Sequence, residues 1–197
     1  MKTGNISGFT LVEVLVAMGI FAVLSTAIVS SLTSTSRSFA DRRMESETQQ
    51  DRRTVARVLT RTLREVGLDP HGTANAGIER ALANRITFSR DMNFNATIDA
   101  GEQVTYVFVA ADGTLVSRPG NTTVGAGSVI ASSLSNVTFT YLDANNNDLG
   151  VPDIDPTLLN AIRSIRIDIT TVGSRVGGVD DVERQMTLRV ACRNLEE

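Results

Sequence analysis

Two groups of side chains in this 197-residue chain are spaced for chemistry. The first is a single carboxylate. Glu13 stands alone in an apolar run from Phe9 to Val29 that holds no other ionisable residue and no proline. A charge sunk in hydrocarbon is costly, so such a group is either protonated or paired with a cation, and it marks a functional site by default. The second group is Asp91-Met-Asn93-Phe-Asn95-Ala-Thr97-Ile-Asp99-Ala-Gly-Glu102. Its oxygen-bearing side chains fall on alternate residues from Asp91 to Asp99, and Glu102 follows three residues later. That is the order of an EF-hand-type calcium loop, in which a hard cation gathers about six to eight oxygens and the final Glu closes the cage with both of its own. Two features depart from the pattern. Ala96 stands where the turn demands glycine, so a left-handed backbone there is strained. The flanks read as strands, where an EF-hand has helices. The competing reading is a polar hairpin loop, since Asp and Asn favour turns through local hydrogen bonds. If Ca2+ binds Asp91, Asn93, Asn95, Thr97, Asp99 and Glu102, the expected affinity is millimolar, and no other cofactor is expected.

The remaining chemistry is sparse. The chain has no GxSxG, HExxH, CxxC or Walker sequence, and its one histidine, His71, is far in sequence from its one cysteine, Cys192. His71 reads as a solvated loop residue. Cys192 cannot form an intrachain disulfide and reads as a small buried hydrophobe on a strand. Asp143-Ala-Asn145-Asn-Asn147-Asp148 begins like the 91–102 loop but meets Val151 and Ile154 where further oxygens are needed, so it reads as a turn. A net charge of -3 offers no general attraction for nucleic acid or anionic lipid, and no nucleic-acid partner is expected. An enzyme is not expected. The distant alternative is a signal-anchored periplasmic hydrolase using carboxylates such as Asp99 and Glu102.

The elements that must position these groups follow from periodicity. As a helix, the residues from Phe9 to Val29 span about 30 Å, the thickness of a bilayer's hydrocarbon core, so they form a transmembrane candidate. A secretory signal peptide cut near Ala27 fits less well. The leader carries only Lys2, the apolar run exceeds the roughly 7–15 residues of a signal peptide's core, and the small pair Ser7-Gly8 precedes that run where a cleavage site should follow it.

Gly8-Phe9-Thr10-Leu11-Val12-Glu13, followed by the apolar run, is similar to the processing site of type IV prepilins and type II secretion pseudopilins. The resemblance implies that a membrane-embedded prepilin peptidase and methyltransferase cuts between Gly8 and Phe9 on the cytoplasmic side and N-methylates Phe9. It implies that Glu13 is the assembly carboxylate, and that subunits stack through their N-terminal helices into a filament. In that setting the amine of Phe9, from the same or a neighbouring subunit, is the cation that pairs with Glu13. The implied partners are the peptidase, other pilin or pseudopilin subunits and the inner membrane. The head is expected outside the cytoplasm, in the periplasm and then in a pilus or pseudopilus.

Beyond the apolar run, Arg37 to Arg53 is charge-dense and reads as a solvated helix, with Arg43 and Glu47 spaced as an i,i+4 pair. Val55, Val58, Leu59, Leu63 and Val66 follow a 3.6-residue period and define an apolar stripe that should pack on a sheet. Gly67 then supplies a helix C′ position and Pro70 forbids continuation, so the helix ends near Val66. The rest alternates with period two. Strands are predicted over 85–89, 103–109, 113–117 (an edge strand, ending before Pro119), 136–142, 164–170 and 185–192. Residues 152–161 are a loop or short helix, and 120–127 and 173–181 are loops. The expected fold is α+β and pilin-like, a long N-terminal helix packed on an antiparallel β-sheet head. Its parts are a leader at 1–8, a transmembrane and assembly helix at 9–30, a helical spine at 31–67 and the head at 68–197.

The helix end LREVGLDP, the strand-turn FTYLDANNND and the close at Cys192-Arg193-Asn194-Leu195 resemble PilW-like minor pilins and the related J-type pseudopilins. That implies a minor structural subunit that primes or tips a type IV pilus, with a minor pseudopilin of type II secretion as the alternative.

Overall fold

The computed structural model describes residues 10–150, 156–173 and 182–195. The leader, Gly8 and Phe9 lie outside the described residues, as do 151–155 and 174–181. A 54-residue helix, α1 (Leu11–Arg64), opens the fold, and the chain divides between Met44 and Glu45 into two units.

In the first unit, α1 is free of proline and contains one glycine, Gly19. Its hydroxyls turn back onto the helix. Thr26, Thr33, Thr35 and Ser38 donate to the carbonyls of Ala22, Val29, Ser31 and Ser34 at 2.8–3.0 Å. Polar groups in an apolar stretch are thereby satisfied without water. Leu11–Ala40 is long and apolar enough to cross a membrane, with a mean hydropathy of 2.3 in its 18-residue window and none of that window buried.

In the second unit, the last turns of α1 bury Val55, Leu59 and Leu63 completely, followed by Val66 beyond the helix end. Val58, predicted on the same stripe, is half-buried, because it lies a quarter-turn off the line of Val55, Leu59 and Leu63. The helix closes at Arg64 in two tight turns, Glu65 N–H to the Thr62 carbonyl and Leu68 N–H to the Glu65 carbonyl, both 3.1 Å. Gly67 takes φ +75°, the left-handed geometry its place after the helix requires.

Among the described residues, eight strands form two antiparallel sheets. Five strands pair in chain order: β1 (Ile78–Leu82), β2 (Arg85–Ser89), β3 (Gln103–Val109), β4 (Thr114–Pro119) and β5 (Ser128–Ala131). Three more pair as β6 (Leu134–Leu142), β7 (Ser164–Gly173) and β8 (Val182–Ala191). Single 3-10 turns follow β6 at Pro156–Ala161 and β8 at Arg193–Leu195. The predicted strands all form, but the sheet is split, and β1 and β5 were not evident in the sequence. β1 carries a register shift between Ile78 and Arg80 and lacks clean alternation, and β5 is four residues long. The presence of β5 also corrects the expectation that β4 is an edge. β4 lies between β3 and β5, and Pro119 is tolerated because it is the last residue of its strand, opposite Val104.

The two sheets meet where turns of the first lean on β6. Phe139 N–H reaches the Ala83 carbonyl at 2.7 Å, and Leu134 N–H reaches the Gly113 carbonyl at 3.0 Å. Tyr141, wholly buried, places its hydroxyl 2.9 Å from the Leu82 carbonyl and 3.1 Å from that of Arg85. Inward residues of β6 (Val137, Phe139, Tyr141) and β7 (Ile165, Ile167, Ile169) join the helix stripe with Ile86, Phe88 and Leu115 in one core. Cys192 belongs to that core, and burial pushes its thiol up to about 12, an inert hydrophobe as expected.

The end of the described chain caps the helix. Asn194 Nδ2 donates to the Arg64 and Val66 carbonyls at 3.1 and 3.4 Å. A Cβ on Gly67 would meet Leu195 Cδ2 at 2.5 Å. Asn194→Ala is expected to lose about 1 kcal/mol for the hydrogen bonds removed. Gly67→Ala is expected to cost about 1–3 kcal/mol in backbone strain, with the Leu195 clash added. Both are read by urea unfolding of the full chain in detergent, followed by circular dichroism.

Candidate functional site

Thr10 and Glu13 build the first site. The Glu13 carboxylate accepts the Thr10 N–H at 3.0 Å and its hydroxyl at 2.9 Å, while Glu13 N–H lies 3.3 Å from Thr10 Oγ1. This is a capping box, in which the first and fourth residues of the helix start satisfy each other's orphan groups. Glu13 stands out in the sequence as a lone acid, and Thr10 is the less conspicuous half of the pair, although Ser/Thr three residues before Glu is the signature of such a box. The carboxylate heads a shallow apolar groove along α1 formed by Val14, Ala17, Met18, Phe21 and Ala22. An acid held by its own N-cap, with exposed hydrocarbon running away from it, has the chemistry of a helix-to-helix contact.

The second site is the 91–102 loop between β2 and β3. It is anchored by Asp91 N–H to the Leu68 carbonyl (2.7 Å), by Arg90 N–H to the Glu102 carbonyl (3.1 Å) and by the Arg90 guanidinium on Glu65. Asp91 is fully buried, and its two oxygens accept the N–H groups of Phe94 (2.7 Å), Asn95 (3.3 Å) and Ala96 (2.9 Å). Glu102 accepts Met92 (2.8 Å) and Asn93 (3.1 Å) N–H on one oxygen and Asp99 N–H (2.9 Å) on the other. Asn93 Oδ1 accepts Asn95 N–H at 3.0 Å, and Asn95 Oδ1 accepts Thr97 N–H and hydroxyl at 3.0 and 2.7 Å. Asp99 takes the amides of Asn93 and Asn95, both at 2.8 Å. Ala96 does adopt the left-handed backbone, φ +65°, and Phe94 shares it at φ +61°. His71 reaches the Phe94 carbonyl at 3.2 Å from the neighbouring loop.

The loop thus brings all six named residues into one hydrogen-bonded ladder whose acids are satisfied by its own N–H groups. Among the described residues, no three His, Cys, Asp or Glu side chains gather as a metal ion would need. The 143–148 segment is a turn closed by Asp143, which accepts Asn145 and Asn147 N–H at 2.8 Å. Hydrogen bonds from Asn147 hold its carboxyl below the usual range.

Residues 4–29 match the family described as the prokaryotic N-terminal methylation motif. The N-terminus is of the prepilin type and the fold is pilin-like. The fold is shown by a type IV-like pilin from Thermus thermophilus, similar at TM-score 0.52 and 10% identity over 76% of this chain and 97% of that one. No curated protein matches the sequence. At such low identity the likeness of this pilin-like chain to the Thermus protein concerns the backbone alone.

Asp91→Ala is expected to destabilise the head by about 3 kcal/mol, since it strands three N–H groups around a buried site. Asp99→Ala, at an exposed position with amide partners, should cost under about 1 kcal/mol. Equal losses in the two variants, measured by urea unfolding, would show that burial of Asp91 does not hold the loop together.

Proposed function

We propose that the chain is a minor structural subunit of a type IV pilus, a scarce component that takes part in assembly or priming and has no enzymatic role. The prepilin-type N-terminus joined to a pilin-like fold supports a pilin or pseudopilin subunit. The observation that carries the reading further is the placement of Glu13, a lone carboxylate one turn into an exposed apolar helix. Prepilin peptidase cuts between Gly8 and Phe9 and methylates Phe9. The chain sits in the inner membrane through its N-terminal helix with the head in the periplasm. On assembly, the Glu13 carboxylate exchanges its Thr10 partners for the amine of a neighbouring subunit's Phe9. That pairing fixes the axial step between neighbours, because a carboxylate buried among apolar helices is costly without its cation.

Intact mass of the native protein should show a mature chain beginning at methylated Phe9. Glu13→Ala should leave that cleavage unchanged and reduce recovery in sheared filaments by at least tenfold. A retained Met1, or wild-type recovery of the variant, would remove the reading. Recovery with a secretion pseudopilus in place of a pilus would move the chain to the type II secretion alternative.

Calcium at the 91–102 loop belongs to the same proposal. Its support is the order of the oxygens and the left-handed turn at Ala96 in the place a calcium loop uses for glycine. Calcium at about 5–10 mM should raise the melting temperature of the full chain if binding is roughly millimolar, and Glu102→Ala should abolish the rise. An unchanged melting temperature would dispose of the site.

A further inference from the structure

The outer edges of the two sheets are built differently. β1 is five residues long with a register shift between Ile78 and Arg80, and β5 is four residues long beside a shift between Leu115 and Val116. The side of β6 turned away from β7 is in use. Leu134 and Phe139 N–H bond the Gly113 and Ala83 carbonyls there, and the Tyr141 carbonyl accepts Leu149 N–H at 2.9 Å. Short, bulged or covered strands are the usual protection against pairing with another chain. β8 has none of these. Its ten residues run in unbroken register with β7, from Ala191 opposite Ser164 to Val182 opposite Gly173, and include no proline. Its charges, Glu183, Arg184 and Arg189, lie toward the two ends, and Gln185 to Leu188 carry none.

Register decides which backbone groups of β8 face out. Phe139 and Tyr141 direct theirs away from β7, so Thr138, Thr140 and Leu142 bond β7 at Asp168, Arg166 and Ser164. Ile165, Ile167 and Ile169 then face β8, opposite Val190, Leu188 and Met186. Cys192 N–H on the Arg163 carbonyl, at 2.9 Å, continues the same alternation. The N–H and carbonyl groups of Gln185, Thr187 and Arg189 therefore point away from the sheet, and among the described residues no hydrogen bond reaches them.

An open row of donors and acceptors, repeating at about 7 Å, is matched by another extended backbone. The side chains describe that backbone. Met186 and Leu188, on the core side, are half-buried where Ile167 and Ile169 beside them are sealed, which leaves their outer flanks for apolar residues. Gln185 and Thr187, on the other side, are exposed.

We propose that the free edge of β8 takes, as an added strand, an extended segment of a different filament subunit with apolar residues at every second position. A second copy of this chain does not fit. Two antiparallel β8 strands are related by a two-fold axis normal to the sheet, which reverses the helix packed on its face, and chains anchored in one membrane do not have opposed helices. Two parallel β8 strands, joined edge to edge, set the core side of one copy against the solvent side of the other. The contact joins one copy to one unlike partner and ends there, as suits a scarce subunit.

The inference rests on the filament reading, and amide hydrogen exchange tests it on the unmodified full chain. In detergent, the amides of Gln185, Thr187 and Arg189 should exchange freely while those of Met186 and Leu188 are protected. In isolated filaments the first three should slow by at least about tenfold. Gln185→Pro removes a donor that β7 does not use, so the chain should keep its circular dichroism spectrum while its recovery in filaments falls roughly tenfold. Filaments that contain the chain with those three amides still exchanging freely, or that recover a folded Gln185→Pro chain at the parent level, overturn the added strand. Protection already present in detergent, and rising with the chain's own concentration, assigns the edge to a second copy and overturns the unlike partner. Absence of the unmodified chain from every filament preparation overturns the filament reading and this inference with it.

Discussion

A carboxylate at the head of a bare apolar helix is the constraint on which the rest of this chain turns. Leu11–Ala40 buries none of its apolar window within the protein, so hydrocarbon must come from outside, from lipid or from other helices. Lipid can cover valine and leucine but offers a carboxylate no partner. The capping box with Thr10 meets that need locally, using an N–H and a hydroxyl that the helix start leaves unpaired. Such a partner is neutral, so it satisfies hydrogen bonding without neutralising charge. In the proposed filament an amine offered by another subunit would do both, and this difference would favour leaving the lipid for a helical assembly.

The head answers a different demand. Val55, Leu59 and Leu63 need a surface to bury against, and two small sheets joined at β6 supply it. Tyr141 is the joint. Its ring fills the core, and its hydroxyl satisfies carbonyls at the β1–β2 turn, so the second sheet is tied to the first by polar contacts that packing alone would not dictate. The Arg90–Glu65 pair and the Asn194 cap tie the helix end to the strands from two other directions.

What the sequence disclosed, it disclosed through period. The helix stripe and the alternation in β2, β3, β6, β7 and β8 follow from which face is wet, and those elements lie where the pattern places them. β1 and β5 carry no such signal. Each is short and irregular in pairing, and each exists because a neighbouring strand offers an open edge. The same blindness made β4 read as an edge, since Pro119 was visible and the strand beyond it was not. At the sites, residue types were legible and partners were not. Asp91 and Glu102 stood out as oxygen donors for a cation, yet the hydrogen bonds from the loop's own N–H groups depend on a backbone path through Phe94 and Ala96 that spacing does not reveal. Thr10 was the reverse case, a legible signature overshadowed by the acid beside it.

The distribution of satisfied and unsatisfied groups then divides the labour of the molecule. Within the head, Asp91 and Glu102 are met by N–H groups, the helix terminus is capped and the lone thiol is sealed in the core. Along α1, hydrocarbon is uncovered over Leu11–Ala40, and among the described residues Arg53, Arg57 and Arg64 have no carboxylate partner. These two surfaces call for different companions. Hydrocarbon is indifferent to register, since one apolar residue covers another almost anywhere along a rod, whereas charges at fixed intervals match only at particular displacements. In the proposed filament, apolar contact would therefore supply most of the cohesion between helices while Glu13 selects the offset at which cohesion is realised. A carboxylate fixed at one position on an apolar helix would in this way turn a non-directional attraction into a defined step.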